Sequence, residues 1–308
     1  METLRNFESV EDVRGSLERA GYICSKLIAT VVFLAQATHK PVLVEGPAGV
    51  GKTELAKAAA RCLNRELIRL QCYEGLDEAK ALYEWEYAKQ LLYTQMVKEK
   101  IGDVVAGARS IAEAVDRIAA QEDAFFSERF IQPQPLLQAI SSAQPVVLLI
   151  DEVDKSDPEF EAFLLEVLSD FQVSIPELGT RQARHIPFVF LTSNDSRDMS
   201  DALKRRCLHL YIDYPDRDLE LEIVRLKLPR IADRLVVQLV DAIRRIRQLD
   251  LKKKPAISET LDWAQALLAL QVEDLSVEVL RETLNVVCKH RSDVQLVNEK
   301  IGKVFSAA

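Results

Sequence analysis

The feature that most constrains this 308-residue chain is a short glycine-rich segment, Gly46-Pro-Ala-Gly-Val-Gly51-Lys52-Thr53, which fits the phosphate-binding pattern G-x-x-x-x-G-K-[ST]. The apolar residues 41–45 before it predict a buried strand, and the Ala- and Leu-rich residues 53–64 after it predict a helix. In a strand–loop–helix unit of this kind, successive backbone N–H groups point at one anion at the positive end of the helix. A glycine-rich turn without a ligand is the alternative.

A second apolar run, residues 145–150, leads directly into Asp151 and Glu152. Beside a phosphate loop, Asp151 is suited to hold Mg²⁺ through water, and Glu152 to orient and deprotonate the attacking water. This pair predicts hydrolysis, because a small-molecule kinase transfers phosphate to a substrate hydroxyl and needs no such glutamate. The alternative is that both acids cap the next helix. The predicted ATP-binding residues are Gly46, Pro47, Ala48, Gly49, Val50, Gly51, Lys52, Thr53, Glu54 and Asp151, with Thr53 and Asp151 at the Mg²⁺.

Two weaker signals lie further along the chain. Asn194 follows a predicted strand over 188–192 and is a candidate contact for the γ-phosphate or the water. Arg205 and Arg206 precede a predicted strand over 208–212. Adjacent arginines are often only a solvated surface, but beside the other motifs they are candidates for a charge supplied to a neighbouring subunit's nucleotide. The predicted catalytic residues are therefore Glu152, Asn194, Arg205 and Arg206.

The remaining pattern predicts an α/β fold with a parallel, doubly wound sheet, followed by a small all-helical domain. Helices are expected over residues 1–40 and 110–121, and a further strand over 67–72. A helix with Pro158 in its first turn follows Asp151. The division expected is a core of residues 1–215 and a helical lid of residues 216–308, in which Ser258 and Ser276 are plausible N-caps.

Composition and charge limit the classes of function. The chain has 40 Lys and Arg against 48 Asp and Glu, a net charge of −8, which argues against DNA binding as its main task. Residues 225–254 nevertheless carry ten Lys or Arg against three Asp, so a nucleic-acid motor or loader is the alternative function. The same stretch is open to reading as a subunit interface, a partner surface or a solvated face.

Redox and targeting signals are weak. The five cysteines form no C-x-x-C pair, so neither a disulfide framework nor a zinc site is indicated. The longest apolar run, residues 27–35, is too short to span a membrane, and the acidic start is unlike a secretory signal. We expect a cytoplasmic protein.

The order of these motifs resembles the AAA+ ATPases, and more narrowly the MoxR group. The narrower likeness rests on Phe130-Ile-Gln-Pro-Gln-Pro-Leu-Leu137, on a hairpin-like stretch over 172–188, and on Leu203-Lys-Arg-Arg-Cys-Leu-His-Leu-Tyr-Ile-Asp-Tyr-Pro215. Within that group, Glu74-Gly-Leu-Asp77, Ala81-Leu-Tyr-Glu-Trp-Glu-Tyr87 and Ser193-Asn-Asp-Ser-Arg-Asp198 look most like the CoxD-type ATPases of carbon monoxide dehydrogenase maturation.

The resemblance implies a hexameric ring that uses ATP and Mg²⁺, with Asn194 as sensor 1, Arg205 as the finger acting in trans and Arg206 as a possible second finger. It also implies a helix-2 insertion, assigned to residues 73–93, with buried packing of its aromatic residues as the alternative. A von Willebrand factor A domain adaptor and a client metalloenzyme are the implied partners. One departure is that Pro255 is followed by Ala256 where such lids commonly have arginine, so sensor 2 is unassigned, with residues 252–254 or Arg281 as substitutes.

Overall fold

A computed structural model describes residues 5–93, 95, 110, 130–175 and 179–305. Its main sheet has five parallel strands in the order β2-β5-β8-β1-β9, so the predicted parallel α/β fold is confirmed. The strands are β1 Val42–Glu45, β2 Leu67–Gln71, β3 Tyr83–Trp85, β4 Ile131–Pro133, β5 Val147–Asp151, β6 Gln172–Ile175, β7 Gly179–Gln182, β8 Phe188–Ser193 and β9 Leu208–Tyr211.

Helices cover both faces of this sheet and continue beyond it. Those before β9 are α1 Val10–Arg19, α2 Lys26–Thr38, α3 Lys52–Leu63, α4 Glu78–Leu82, α5 Pro135–Ser141, α6 Pro158–Asp170 and α7 Asp201–Arg206. Those after β9 are α8 Arg217–Lys227, α9 Asp233–Arg247, α10 Ile257–Ala269, α11 Val277–Val287, α12 Arg291–Glu299 and α13 Ile301–Phe305. Among the described residues, no helix is both long and apolar enough to cross a membrane.

The central strands are continuous apolar runs because each of their faces is covered by helices. Along β5, Leu148 and Ile150 pack into the apolar cluster that includes α5 and α6. Val147 and Leu149 point to the other face, into the cluster that includes α1, α2 and α3. This alternation brings the polar residues that end β1, β5 and β8 to one edge of the sheet.

The apolar spacing that indicated α2 marks the outer surface of that helix. Leu27 is 62% exposed and Leu34 is 44% exposed. The buried side is formed by Ala29, Val32 and Ala35, all with no exposed surface. Small side chains let the helix pack closely on its neighbours, so the helix was predicted from residues that do not hold it in place.

Two hairpins extend the core. The predicted hairpin over 172–188 is present as the antiparallel pair β6 and β7. In the segment 73–93, β3 pairs with β4, and Tyr83 and Trp85 pack against the apolar cluster, whereas Tyr87 is 73% exposed. Buried packing therefore accounts for two of the three aromatic residues. The helix predicted over 110–121 lies outside the described residues except for Ser110.

The helices α8 to α13 enclose a third apolar cluster around the fully buried Trp263. Within it, Arg247 of the basic stretch donates to both carboxylate oxygens of Glu220 at 2.7 Å, and to the carbonyl oxygen of Pro255 at 2.6 Å. Other members form ion pairs on the surface, including Arg225 with Asp233. The basic stretch is therefore not one continuous positive surface.

Ser276 caps α11 as predicted, since its hydroxyl accepts from the Val279 N–H. The prediction for Ser258 is wrong: α10 begins at Ile257, Ala256 is its N-cap, and Ser258 lies in the first turn. Glu259 accounts for the difference, because its carboxylate accepts from the Ala256 N–H, while the Ser258 N–H donates to the carbonyl oxygen of Gly49.

We expect the Arg247→Met variant to lose about 3–5 kcal/mol of stability in the C-terminal helices, because it leaves the buried Glu220 carboxylate without its partner. Urea unfolding followed by Trp263 fluorescence in a Trp85→Phe background measures this loss. The matched control Arg225→Met removes an exposed pair and should cost less than about 1 kcal/mol. Equal losses for the two variants would show that the buried pair contributes nothing special.

Candidate functional site

The predicted phosphate loop connects β1 to α3 at the carboxyl edge of the sheet. Two of its glycines are required by their surroundings as well as by positive φ angles. A Cβ on Gly46, whose φ is 142°, would lie 2.0 Å from the carbonyl oxygen of Ile212. A Cβ on Gly49, whose φ is 81°, would lie 2.3 Å from the Ser258 hydroxyl. The loop is therefore closely packed between β9 and the start of α10.

Lys52 is buried at the first position of α3. Its ammonium donates to the carbonyl oxygens of Gly46 and Pro47, at 2.6 and 2.7 Å, and to Oδ1 of Asn194 at 2.9 Å. Desolvation by burial lowers the pKa of Lys52, and the nearby carboxylates of Asp154, Asp151 and Glu152 oppose that effect. A desolvated cation surrounded by neutral acceptors is ready to attract an anionic phosphate.

Asp151, the last residue of β5, is 2% exposed. Its Oδ1 accepts from the hydroxyls of Thr53 and Thr192, at 3.0 and 2.5 Å, and its Oδ2 accepts from Nε and Nη2 of Arg69, at 3.0 and 2.6 Å. The two predicted Mg²⁺ residues are thus in contact although they are 98 positions apart in sequence. A hydroxyl and a carboxylate are the hard oxygen donors that Mg²⁺ takes beside nucleotide phosphates, so these residues fit the ion.

Glu152 follows with a positive φ of 58°, which is unusual for a residue with a side chain. Thr192 holds its backbone N–H, and three side chains donate to its carboxylate: Asn194 at 3.2 Å, Gln71 at 2.9 Å and Lys155 at 2.6 Å. Asn194 therefore links Lys52 and Glu152, accepting from one with its carbonyl oxygen and donating to the other with its amide nitrogen.

Three residues of this network were not predicted from the sequence: Arg69, Gln71 and Lys155. Arg69 and Gln71 are alternate residues of β2, and the register of the sheet sets Gln71 directly beside Asp151. Knowing that β2 and β5 are neighbours would have identified both. Lys155 lies three positions after Glu152 in a 3-10 turn, which was not anticipated.

Comparison with known proteins bears on this site. Residues 41–207, more than half of the chain, match the AAA domain family, dynein-related subfamily. The chain belongs to this AAA family. Its relatives include the gas vesicle ATPase GvpN1 of Halobacterium salinarum, 25% identical over 274 residues, and GvpN of Haloferax mediterranei, 26% identical over 278 residues. Each alignment covers 85% of this chain and 72% of the relative.

More distant likenesses are of the same kind. The chaperone protein ClpB of Mycoplasmoides gallisepticum is 23% identical over 269 residues, which cover 85% of this chain but 28% of ClpB. Among solved structures, the Thermotoga maritima RuvB Holliday junction branch migration motor aligns with a TM-score of 0.47 and 18% identity, over 91% of this chain and 72% of RuvB. Membership of the AAA family confirms the prediction that the chain is an ATPase.

In this AAA domain, Arg205 and Arg206 lie apart from the other predicted catalytic residues. Both are exposed at the end of α7, just before β9. Because β9 runs parallel to β1, with Val42 opposite Leu208, the two arginines lie at the amino edge of the sheet, whereas Lys52 lies at the carboxyl edge. One copy of the AAA domain therefore does not bring them to its own phosphate loop.

A second cavity of the AAA domain adjoins the phosphate loop. It has a volume of about 230 Å³ and lies between the core and the helices α8 and α10. Its walls are mostly apolar, with Tyr22, Ile23, Ile212, Ile223 and Leu261 among the lining residues. At the sensor 2 position stands Ser258, next to Gly49, and among the described residues no hydrogen bond joins Arg281 or the side chains of 252–254 to the loop.

Proposed function

We propose that the chain hydrolyses ATP with Mg²⁺ at the network around Lys52, Asp151, Glu152 and Asn194. The observation that carries this proposal is that Asn194 contacts both Lys52 and Glu152. Such a contact connects the cation that would hold the terminal phosphates with the carboxylate that would act as base. A group placed between them meets phosphate and attacking water together.

The apolar cavity beside the loop is the proposed site for the adenine base. It lies next to Gly49, Val50 and Gly51, so a base bound there would direct its phosphates along the loop towards Lys52. Flat heteroaromatic rings gain free energy from burial between apolar side chains. Since Ile257 and Leu261 of α10 form one wall, nucleotide binding would also hold α10 against the core.

Each residue of the network has a proposed chemical task. Thr53 and Asp151 would hold Mg²⁺, which neutralises phosphate charge when bound. Glu152 would orient the water and accept its proton, for which its carboxylate must exchange at least one of its present donors, Gln71 or Lys155. Asn194 would stay beside the γ-phosphate as a neutral hydrogen-bond donor, the role expected of sensor 1.

The Lys52→Ala variant should bind a fluorescent ATP analogue on the order of tenfold to a hundredfold more weakly, because a buried charge-assisted hydrogen bond to phosphate is lost. A fluorescence titration measures this, with circular dichroism to confirm folding. Lys57→Ala, an exposed change further along the same helix α3, is the matched control. Unchanged affinity of the Lys52 variant would remove Lys52 from the nucleotide site.

We further propose that the division into a core of residues 1–215 and a lid of residues 216–308 serves a ring, with six copies expected, that remodels a client protein. The MoxR and CoxD-type resemblance supports a metalloenzyme client, such as carbon monoxide dehydrogenase, and a von Willebrand factor A domain adaptor. The test is a pull-down with the Glu152→Gln variant and ATP, which should retain both partners. Capture of neither, from a cell extract that contains both, would contradict this part of the proposal.

A further inference from the structure

A third cavity lies far from the nucleotide site, at the amino edge of the sheet. Its volume is about 550 Å³. Five side chains able to carry positive charge line it: His39, Lys40, Arg65, Arg184 and His185. We call these residues and their cavity the basic cavity. No carboxylate is among the described residues that line it, and Glu66 at the start of β2 lines a neighbouring cavity instead.

The positive charge of the basic cavity is not neutralised within the described chain. Lys40 and Arg184 are exposed and make no ion pair with any described residue. The guanidinium of Arg65 donates to Asn6 at 2.6 Å, but its Nε atom is buried without a hydrogen-bond partner. Burial also lowers the pKa of Arg65. An anionic partner would relieve both the unmet donor and the desolvated charge.

The sheet register aligns this cavity with the two arginines of α7. Val42 of β1 lies opposite Leu208 of β9, so Lys40 and Arg206 sit at the same level two residues earlier. Arg184 and His185 come shortly before β8, the other neighbour of β1. The basic cavity and Arg205 with Arg206 therefore belong to one cationic edge.

The opposite edge of the same sheet has the opposite charge. Exposed carboxylates follow the carboxyl ends of four of its strands: Glu74 and Glu78 after β2, Glu159 after β5, Asp195 after β8 and Asp213 after β9. A body that is cationic at one edge and acidic at the other favours head-to-tail association of identical copies, since each contact pairs unlike charges. No glycine lines the basic cavity, so it lacks the backbone cradle of a free phosphate site.

We propose that the basic cavity binds the acidic carboxyl edge of a second copy of this chain. In that contact the cationic edge faces the neighbour's nucleotide site, which brings Arg205 towards the neighbour's phosphate loop. The proposal rests on the proposed function, because it assigns a surface to the assembly in which one subunit completes another's site. Lys40, Arg65, Arg184 and His185 are the contact residues it adds.

The test is the double charge reversal Lys40→Glu with Arg184→Glu. We expect the variant, with ATP and Mg²⁺ at 50 mM salt, to need on the order of tenfold or more higher concentration to assemble, because like charges then face each other. Mass photometry and sedimentation measure assembly, and a fluorescent ATP analogue measures nucleotide binding, which should be unchanged. The matched control Arg230→Glu with Lys254→Glu changes the charge equally on exposed residues after β9.

A complementary variant tests the identity of the partner edge. Glu74→Arg with Glu159→Arg should also assemble poorly alone, and mixing it with the Lys40 and Arg184 variant should restore assembly. Normal assembly of the Lys40 and Arg184 variant would overturn the proposal, as would failure of the mixture, or loss of binding to another acidic protein with assembly intact. If the wild type assembles and binds ATP yet does not hydrolyse it, the hydrolysis mechanism fails while this interface stands.

Discussion

Replacing Glu152 by glutamine is expected to lower the rate of ATP turnover by on the order of 10³-fold, the scale of a lost general base. The amide keeps the size of the side chain and can still accept from Gln71 or Lys155, but it cannot take a proton from water. Nucleotide affinity should stay within a few-fold, since Lys52 and the apolar cavity are unchanged. Steady-state phosphate release and a binding titration separate the two effects.

The control for this variant is Glu159→Gln, an equivalent change on an exposed carboxylate in the first turn of α6. It should hydrolyse ATP at the wild-type rate. Normal turnover by the Glu152→Gln variant would exclude Glu152 as the base, and the contact between Asn194 and Glu152 would then serve only to hold the loop after β8.

Replacing Arg205 by alanine is expected to lower turnover on the order of 10³-fold, the lower part of the range for an arginine finger. The reason is geometric: Arg205 lies at the amino edge of the sheet, so its charge is available only to another copy. Assembly should survive this single truncation, because the proposed contact also uses the basic cavity. Turnover measured at a concentration where mass photometry shows full assembly tests the prediction.

Mixing inactive variants gives the sharper version of this test. Arg205→Ala subunits retain Glu152, and Glu152→Gln subunits retain Arg205, so contacts between them contain one complete site. The mixture should regain part of the wild-type rate. Full activity in a dilute, demonstrably monomeric sample would refute the need for a neighbour, and Arg230→Ala is the control for loss of an exposed arginine.

Much of the core follows from local pattern. The strands β1, β5, β8 and β9 were predicted within two residues of their bounds, because buried parallel strands are apolar runs that end at polar or glycine residues. The positions of Lys52, Thr53, Asp151, Glu152 and Asn194 at one edge follow from the same rule. Their contacts agree with that expectation, whereas their roles in binding and catalysis stay predictions.

The failures share one cause, which is that they depend on neighbours distant in sequence. Ser258 has the residue type of an N-cap, but its position in α10 is set by Glu259 and by the phosphate loop. Arg247 looks like one charge in a basic stretch, yet it is an internal partner of Glu220. Neither contact leaves a periodic signal in the chain.

By itself, the sequence determined the parallel sheet, the phosphate loop and the acidic pair after β5, because backbone geometry and burial select residue types over short spans. Tertiary structure alone decided that Arg69 and Gln71 reach Asp151 and Glu152, and that Asn194 joins Lys52 to Glu152. It also decided that the cations of the basic cavity gather on the edge that carries Arg205. These arrangements depend on strand order and register, which side-chain packing across the whole sheet selects.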